Sequence, residues 1–424
     1  MKSMIKLQTY ISMLFAVLLF ISPQNRSVST LLWFPKMIAG ALSAVIGIIG
    51  GLGAFLGIAQ RDWKLFEAGV FTAGLMGKFI ADIPRTQAQF EPVAQVVQST
   101  NQSSTRAVSP ALKRGLAKPK FQQNIVIGEK PTSGKPFLAD LWQPLPGMPS
   151  SGLGVIYIHG GGWRIGEKDM LTRHFFRRLV GQGHLILDIA YTLWPDADIP
   201  TMVREVNQAI LWLKDNSQKL GLNPEQIVLM GGSAGGHLAL LAAYTPHLPN
   251  FKPDQEGSDT SVRGVVAFYP VVDFWAMHEQ GEQLNPDPNN KLDTVAISLI
   301  DHIFSLPASP TKYEQDSKLS IYNYLIDLLG GTPEDKPETY DLLSPIHHIR
   351  KDSPPTLLLQ GEEDVFGLTP PVRRMQEALK EAGVPLTYVE YPRTNHGFDL
   401  IFPQVNPLAQ AATREVEHFL ASLA

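Results

Sequence analysis

The chain has 424 residues, a net charge of −4, 44% hydrophobic residues and no cysteine. That length exceeds one average domain and can bury a large core. The near-neutral charge, without a long basic stripe, gives no sign of a nucleic-acid partner. The absence of cysteine excludes disulfides, thiolate metal sites and a cysteine nucleophile.

Leu7 to Ser22 is uncharged and strongly apolar, and so is the longer stretch from Met37 to Gln60. At about 1.5 Å per residue the second stretch crosses the roughly 30 Å of a bilayer core as one helix. It carries Gly47-x-x-x-Gly51 and Gly53-x-x-x-Gly57, spacings that let helices approach closely in lipid. A third stretch, Leu65 to Ile83, contains Glu67, Lys78 and Asp82 and reads as an interfacial helix or a third span. Lys2 and Lys6 would also suit a signal peptide, but Pro23-Gln24-Asn25-Arg26 offers no small-x-small cleavage site. Residues 1–84 are therefore expected to form a membrane anchor in contact with lipid. Lys2 and Lys6 favour a cytoplasmic N-terminus; two spans would return the remainder of the chain to the cytoplasm, and a third span would reverse that. Residues 85–120, rich in Gln, Ser, Thr, Ala and Pro, read as a linker or as part of a lid.

From about Phe121 to Ala424, short apolar runs alternate with helical stretches. Strands are expected at Phe137–Trp142, Gly154–Ile158, Leu185–Ile189, Ile227–Met230, Val262–Phe268, Thr356–Gln360 and Leu386–Tyr391. Helices are expected at Asp169–Val180, Ile199–Leu220, Pro371–Ala382 and Pro407–Leu423. This alternation predicts an α/β fold: a mostly parallel sheet covered on both faces, with functional groups beyond the carboxyl ends of its strands.

The motifs fall there. Gly231-Gly232-Ser233-Ala234-Gly235 follows an apolar strand and precedes a small-residue helix, the context in which a sharp turn lifts a serine above a sheet. His159-Gly160-Gly161-Gly162-Trp163 also follows a strand. Its open N–H groups at Gly161 and Gly162, with that of Ala234, suit an oxyanion. A nucleophilic serine needs a base, and the base needs an orienting carboxylate. Asp364 and His396 lie 32 residues apart, each just past a strand, with one helix between them. Glu362 and Glu363 are rival carboxylates nearer the turn. His237 reads as a packed histidine and His159 as a residue bracing its own loop. The adjacent pair His347-His348 lacks a second cluster, and no His-Glu-x-x-His occurs, so neither metal nor cofactor is expected. No phosphate-loop or Gly-x-Gly-x-x-Gly pattern points to a nucleotide.

Together these motifs resemble the α/β-hydrolase superfamily, most closely its carboxylesterase and hormone-sensitive-lipase-like branch. The resemblance covers about residues 121–424. It implies Ser233 as nucleophile, His396 as general base and acid, Asp364 as the orienting carboxylate, and an oxyanion hole at Gly161 and Gly162. The implied activity is cofactor-free cleavage of carboxylic esters, small or lipid-like. Where many relatives carry Asp-Tyr-Arg, this chain has Ala190-Tyr191-Thr192. Residues 277–320 look like an insertion that either covers substrate as a lid or elaborates the surface, and Trp163 is expected to meet an apolar acyl or alcohol group. An amidase or formamidase, a prenylcysteine-type methylesterase and a catalytically silent binding protein are the competing readings on the same fold. Nothing in the sequence specifies an oligomeric state.

Overall fold

The computed structural model describes residues 2–87, 119–144, 147–148, 150–253, 257–283, 290–305 and 321–424. Most of the expected linker, 88–118, lies outside the described residues, as do 284–289 and 306–320 of the expected insertion.

Four helices come first: α1 (Lys2–Leu19), α2 (Arg26–Ala41), α3 (Ser43–Gln60) and α4 (Trp63–Gln87). Asn25 caps α2 by accepting the Val28 N–H at 3.1 Å. The single helix expected over 37–60 does not form. The chain breaks at Leu42 (φ −99°, ψ 12°), so Met37 to Ala41 close α2 and the rest becomes α3. The break has a packing cause. The end of α2 lies against the folded domain, with Gly40 beside Leu408 and Phe79, whereas α3 turns back to pair with α4.

Glycines set that pairing, and of those the spacing singled out Gly57 takes part while Gly51 does not. A Cβ on Gly50 would lie 2.8 Å from Ala73 N, and one on Gly57 or Gly69 would overlap the backbone of Phe66 or Ala54. Gly53 meets Thr9 of α1, while Gly51 faces open space. Close backbone approach thus runs along Gly50, Gly57 and Gly69. Among the described residues, α1 and α3 are long and apolar enough to cross a membrane. The outer face of α3 leaves Ile48, Leu52, Phe55 and Ile58 exposed.

The remaining elements build one eight-stranded sheet in the order β1-β2-β4-β3-β5-β6-β7-β8. In chain order these are β1 (Lys120–Glu129), β2 (Pro136–Gln143), β3 (Gly154–Ile158), α5 (Arg173–Val180) and β4 (Leu185–Ile189). Next come α6 (Ile199–Asp215), α7 (Ser217–Leu220), β5 (Ile227–Gly232), α8 (Ala234–Tyr244) and β6 (Gly264–Phe268). Then follow α9 (Phe274–Gln283), α10 (Lys291–Ser305), α11 (Ile321–Leu329) and α12 (Pro337–Leu343). The chain continues through β7 (Thr356–Gly361), α13 (Thr369–Glu381), β8 (Leu386–Tyr391) and α14 (Pro407–Leu423).

β1 and β2 pair antiparallel, β2 pairs antiparallel with β4, and all later pairings are parallel. The parallel strands β3 to β7 are buried along their whole length, as continuous Val/Ile/Leu runs require. β1 was not expected. It is a half-exposed edge strand of mixed polar residues, interrupted by two register shifts. The expected helix over 199–220 ends at Asp215 and resumes at Ser217.

Two apolar cores flank the sheet. One gathers α6, α8 and α13. The other joins α5 and α14 to Ala16, Leu19, Ala39, Ile46, Met76, Phe79 and Ile83 of the N-terminal helices. The four-helix unit is therefore continuous with the core on one face of the sheet.

The glycine contacts make a differential prediction. Gly57→Val should lower the thermal midpoint of the full chain in detergent, by strain on the order of 1–3 kcal/mol. Gly51→Val, into open space, should leave it within a degree or two of wild type by the same assay. Equal effects would contradict the packing described.

Candidate active site

The site is built on strained backbone at the head of β5. Ser233 sits between β5 and α8 at φ 55°, ψ −122°, a conformation that costs a non-glycine residue on the order of 1–3 kcal/mol. Its N–H donates to Phe268 O at 2.9 Å, tying the turn to β6. Side chains on the flanking residues would not fit. A Cβ on Gly235 would overlap the Ile158 and His159 carbonyls, and one on Gly231 would overlap the Gly235 backbone.

Two loops bring partners to this serine. β7 ends at Gly361 and β8 at Tyr391, and they are hydrogen-bonded neighbours. His396 Nε2 lies 3.0 Å from Ser233 Oγ, and His396 Nδ1 lies 2.8 Å from Asp364 Oδ2. An ionised carboxylate only accepts, so Nδ1 carries the proton and Nε2 is left free to accept from the serine hydroxyl. Asp364 Oδ1 accepts the Phe366 N–H at 3.0 Å, and Oδ2 also accepts from Gln360 Nε2 at 3.0 Å. Asn395 stitches the two loops together: its Oδ1 accepts the N–H of Val365 at 2.9 Å and of His396 at 2.8 Å. Gly361 allows the approach, since a Cβ there would lie 2.5 Å from Thr394 O.

The rival carboxylates are engaged elsewhere. Glu362 accepts the Arg393 N–H at 2.8 Å, and Glu363 pairs with Lys36 and with Ser22 Oγ. His347 is half exposed beside Asp341, and no group of metal-binding side chains occurs among the described residues.

The glycine-rich loop stands opposite. Gly161 (φ 115°), Gly162 (φ 58°) and Trp163 (φ 60°) form a left-handed run that only glycine adopts freely. Among the described residues, the N–H groups of Gly161, Gly162 and Ala234 have no acceptor within the chain. Ala234 opens α8, so its N–H is one of the free donors of a helix start. Behind the loop, His159 stacks on Tyr191 with centroids 4.4 Å apart and donates from Nδ1 to Gly160 O at 2.8 Å. The Tyr191 hydroxyl donates to His159 O at 3.2 Å. Burial lowers the His159 pKa to about 4, so the ring is neutral.

Trp163 is buried, and its Nε1 donates to His237 Nδ1 at 3.2 Å. His237 passes the chain on from Nε2 to Leu343 O at 2.8 Å. Trp163 still contributes to an apolar pocket beside Ser233, with Gly162, Val271, Met277, Tyr324 and Phe366 among its other walls. The described part of the 277–320 insertion therefore reaches the site through Met277.

Several neighbours of the site carry no local sequence signal. The Tyr269 ring packs on His396 at 4.5 Å, and its hydroxyl donates to Asp399 Oδ1 at 2.6 Å. Asp399 is partly buried, and loss of hydration raises its pKa above the usual carboxylate range. Phe366 meets the His396 ring edge-on at 4.7 Å. From the N-terminal helices, Trp33 Nε1 donates to His396 O at 2.9 Å. Only Gln360 was discoverable locally, as a polar residue closing an otherwise apolar buried strand.

Comparison with known proteins agrees with this architecture. A family model described as BD-FAE matches residues 150–321, and the prolyl oligopeptidase family model matches residues 309–420. The chain is 27% identical to the esterase LipQ of Mycobacterium tuberculosis, over 63% of this chain and 55% of LipQ. It is 28% identical to the probable carboxylic ester hydrolase LipM of the same organism, over 67% of this chain and 58% of LipM. It thus spans little more than half the length of these two relatives. Among solved structures, the apo form of Thermogutta terrifontis esterase 2 superposes with a TM-score of 0.53 at 21% identity, over 73% of this chain and 97% of that one. That last likeness is one of fold.

The buried histidines predict an acid response. Burial holds His237 at a pKa of about 4 against 6.5 when unfolded. A base depressed in this way contributes stability in full above pH 6.5 and loses it as pH falls through about 4. The unfolding free energy of wild type should therefore exceed that of His237→Leu most at pH 7.5. The gap should narrow by on the order of 2 kcal/mol by pH 4.5. A gap constant with pH in urea titrations would contradict a neutral buried ring.

Proposed function

We propose that this chain, which belongs to the α/β-hydrolase superfamily, is a serine hydrolase that cleaves carboxylic esters. The observation that carries the reading is the unbroken line of hydrogen bonds from Asp364 through His396 to Ser233. The esterase names of its relatives and the apolar pocket beside Ser233 support an ester with an apolar acyl or alcohol group.

In this mechanism Ser233 Oγ attacks the ester carbonyl carbon while His396 Nε2 takes the hydroxyl proton. The carbonyl oxygen becomes an oxyanion and accepts from the N–H groups of Gly161, Gly162 and Ala234. Each such donor is typically worth about 3 kcal/mol in the transition state. Collapse breaks the C–O bond to the alcohol, which leaves with the proton from His396, and an acyl-enzyme remains. Water then attacks the acyl carbon and gives a proton to the same imidazole; the acyl C–Oγ bond breaks, His396 returns the proton to Ser233 Oγ, and the acid leaves. Asp364 fixes the Nδ1–H tautomer and stabilises the imidazolium without itself taking the proton. No cofactor enters these steps.

The same reading makes the protein integral to a membrane. Residues 1–84 are its anchor, 85–120 a linker and 121–424 the catalytic unit, with 277–320 an insertion that serves either as a lid or as a surface elaboration. The two apolar helices and the exposed Ile48, Leu52, Phe55 and Ile58 support the anchor. Lys2 and Lys6 favour a cytoplasmic N-terminus, and because α2, between the two apolar helices, touches the catalytic unit, that unit would lie on the opposite side of the membrane. An amide substrate is the second reading, favoured by the match to the prolyl oligopeptidase family model. A prenylated methyl ester would be one lipid-like substrate of the first.

Full-length protein in detergent separates these readings. Wild type should label with a fluorophosphonate and turn over p-nitrophenyl esters faster than the matching anilides. Ser233→Ala should abolish both, and Asp364→Asn should lower kcat by about 10⁴. Faster anilide turnover would select the amide reading. Labelling that survives Ser233→Ala, or a wild type that neither labels nor turns over, would end the proposal.

A further inference from the structure

Helix α2 reaches the two loops that carry Asp364 and His396. Trp33 Nε1 donates to the carbonyl oxygen of His396 at 2.9 Å. The Trp33 indole meets the Phe366 ring edge-on at 5.3 Å and the His396 ring at 6.4 Å. Phe366 in turn lines the pocket beside Ser233, and its N–H donates to Asp364. Three residues further along α2, Lys36 pairs with Glu363, next to Asp364. The Lys36 side chain is 3% exposed, and its ammonium also donates to Ile21 O at 2.8 Å. A buried ammonium held by a carboxylate and a carbonyl is a fixed strut, because removing either partner leaves the other desolvated. Arg393, on the loop before His396, is fastened from the same side, to Asp82 of α4 at 3.0 Å and over the Phe20 ring.

A membrane anchor has no need of such contacts. A tether holds a catalytic unit near its substrate through a flexible segment, whereas here the helical unit touches both loops that converge on the serine.

We infer that α2 is a working part of the active site, with Trp33 and Lys36 as positioning residues that hold the Asp364 and His396 loops in register with Ser233. The inference rests on the serine-hydrolase reading above. His396 and Asp364 stand on separate loops without a strand to fix them beyond Gly361 and Tyr391. Trp33 clamps the main chain of one loop from outside, and Lys36 clamps the other through Glu363. Displacing a catalytic group by about 1 Å costs up to a hundredfold in rate. Removing the clamp should therefore lower turnover without removing any residue that lines the pocket.

The test uses the full chain in detergent, with Trp33→Ala, Trp33→Phe and Lys36→Met. Active sites are first counted with a fluorophosphonate, so that misfolded protein drops out of the comparison. Turnover of p-nitrophenyl acetate is then expressed per labelled site. Trp33→Ala should lower kcat per site by about tenfold to a hundredfold, with KM changed less than twofold. Lys36→Met should fall in the same direction. Trp33→Phe, which keeps an aromatic edge but loses the N–H, should fall between wild type and Trp33→Ala. Unchanged kcat per labelled site in all three variants would overturn the inference. A raised KM at unchanged kcat would also overturn it, making α2 a wall of the substrate pocket only. Failure of the underlying reading shows separately, as labelling that survives Ser233→Ala.

Discussion

The structure depends on one strained residue. Ser233 holds a left-handed backbone at the end of a fully buried parallel strand, and that geometry brings its hydroxyl out above the sheet. Strain of this kind persists only where the surroundings over-determine it. Here they do: the serine N–H is spent on β6, its carbonyl accepts the His237 N–H at 2.9 Å, and the flanking glycines are packed against β3. The central strands can be read as the scaffold for this turn. They are apolar on both faces and bring the ends of β3, β5, β6, β7 and β8 to one rim.

Around that rim, backbone and buried polar groups do the orienting. Asn395 joins the two loops by main-chain donors, Gln360 and the Phe366 N–H hold Asp364, and His159 and Tyr191 brace the glycine loop. Each buried polar group that meets a partner avoids a desolvation penalty of about 1–3 kcal/mol. The network therefore fixes geometry at little net expense of stability. Burial also keeps His159 and His237 neutral, so their hydrogen-bonding directions do not reverse over the ordinary range of pH.

What could be read from sequence followed from locality. The serine turn announces itself within five residues, and the parallel strands announce themselves as apolar runs of five or six. The positions of Asp364 and His396 followed from being just beyond two such runs with one helix between. The failures were of two kinds. β1 is a half-exposed edge strand whose pattern is set by pairing with β2 rather than by burial, so no periodicity betrays it. The break at Leu42 and the contacts of Trp33, Lys36 and Tyr269 are tertiary. Residues 33 and 396 lie 363 positions apart, and nothing in either neighbourhood refers to the other. Composition set the first 84 residues apart from the rest, but composition measures solvent preference and is silent about docking. The glycine spacing pointed to close helix contact while leaving the contacting face to the rotation of α3, which only packing decides.

The union of α2 with the last two strand loops also bears on how the protein matures. A ribosome makes Trp33 and Lys36 long before it makes Glu363 and His396. The early helices therefore wait for these partners until the loops after β7 and β8 have emerged. The rim that carries Ser233 is accordingly closed only when those loops reach α2, and a product truncated before them lacks that join.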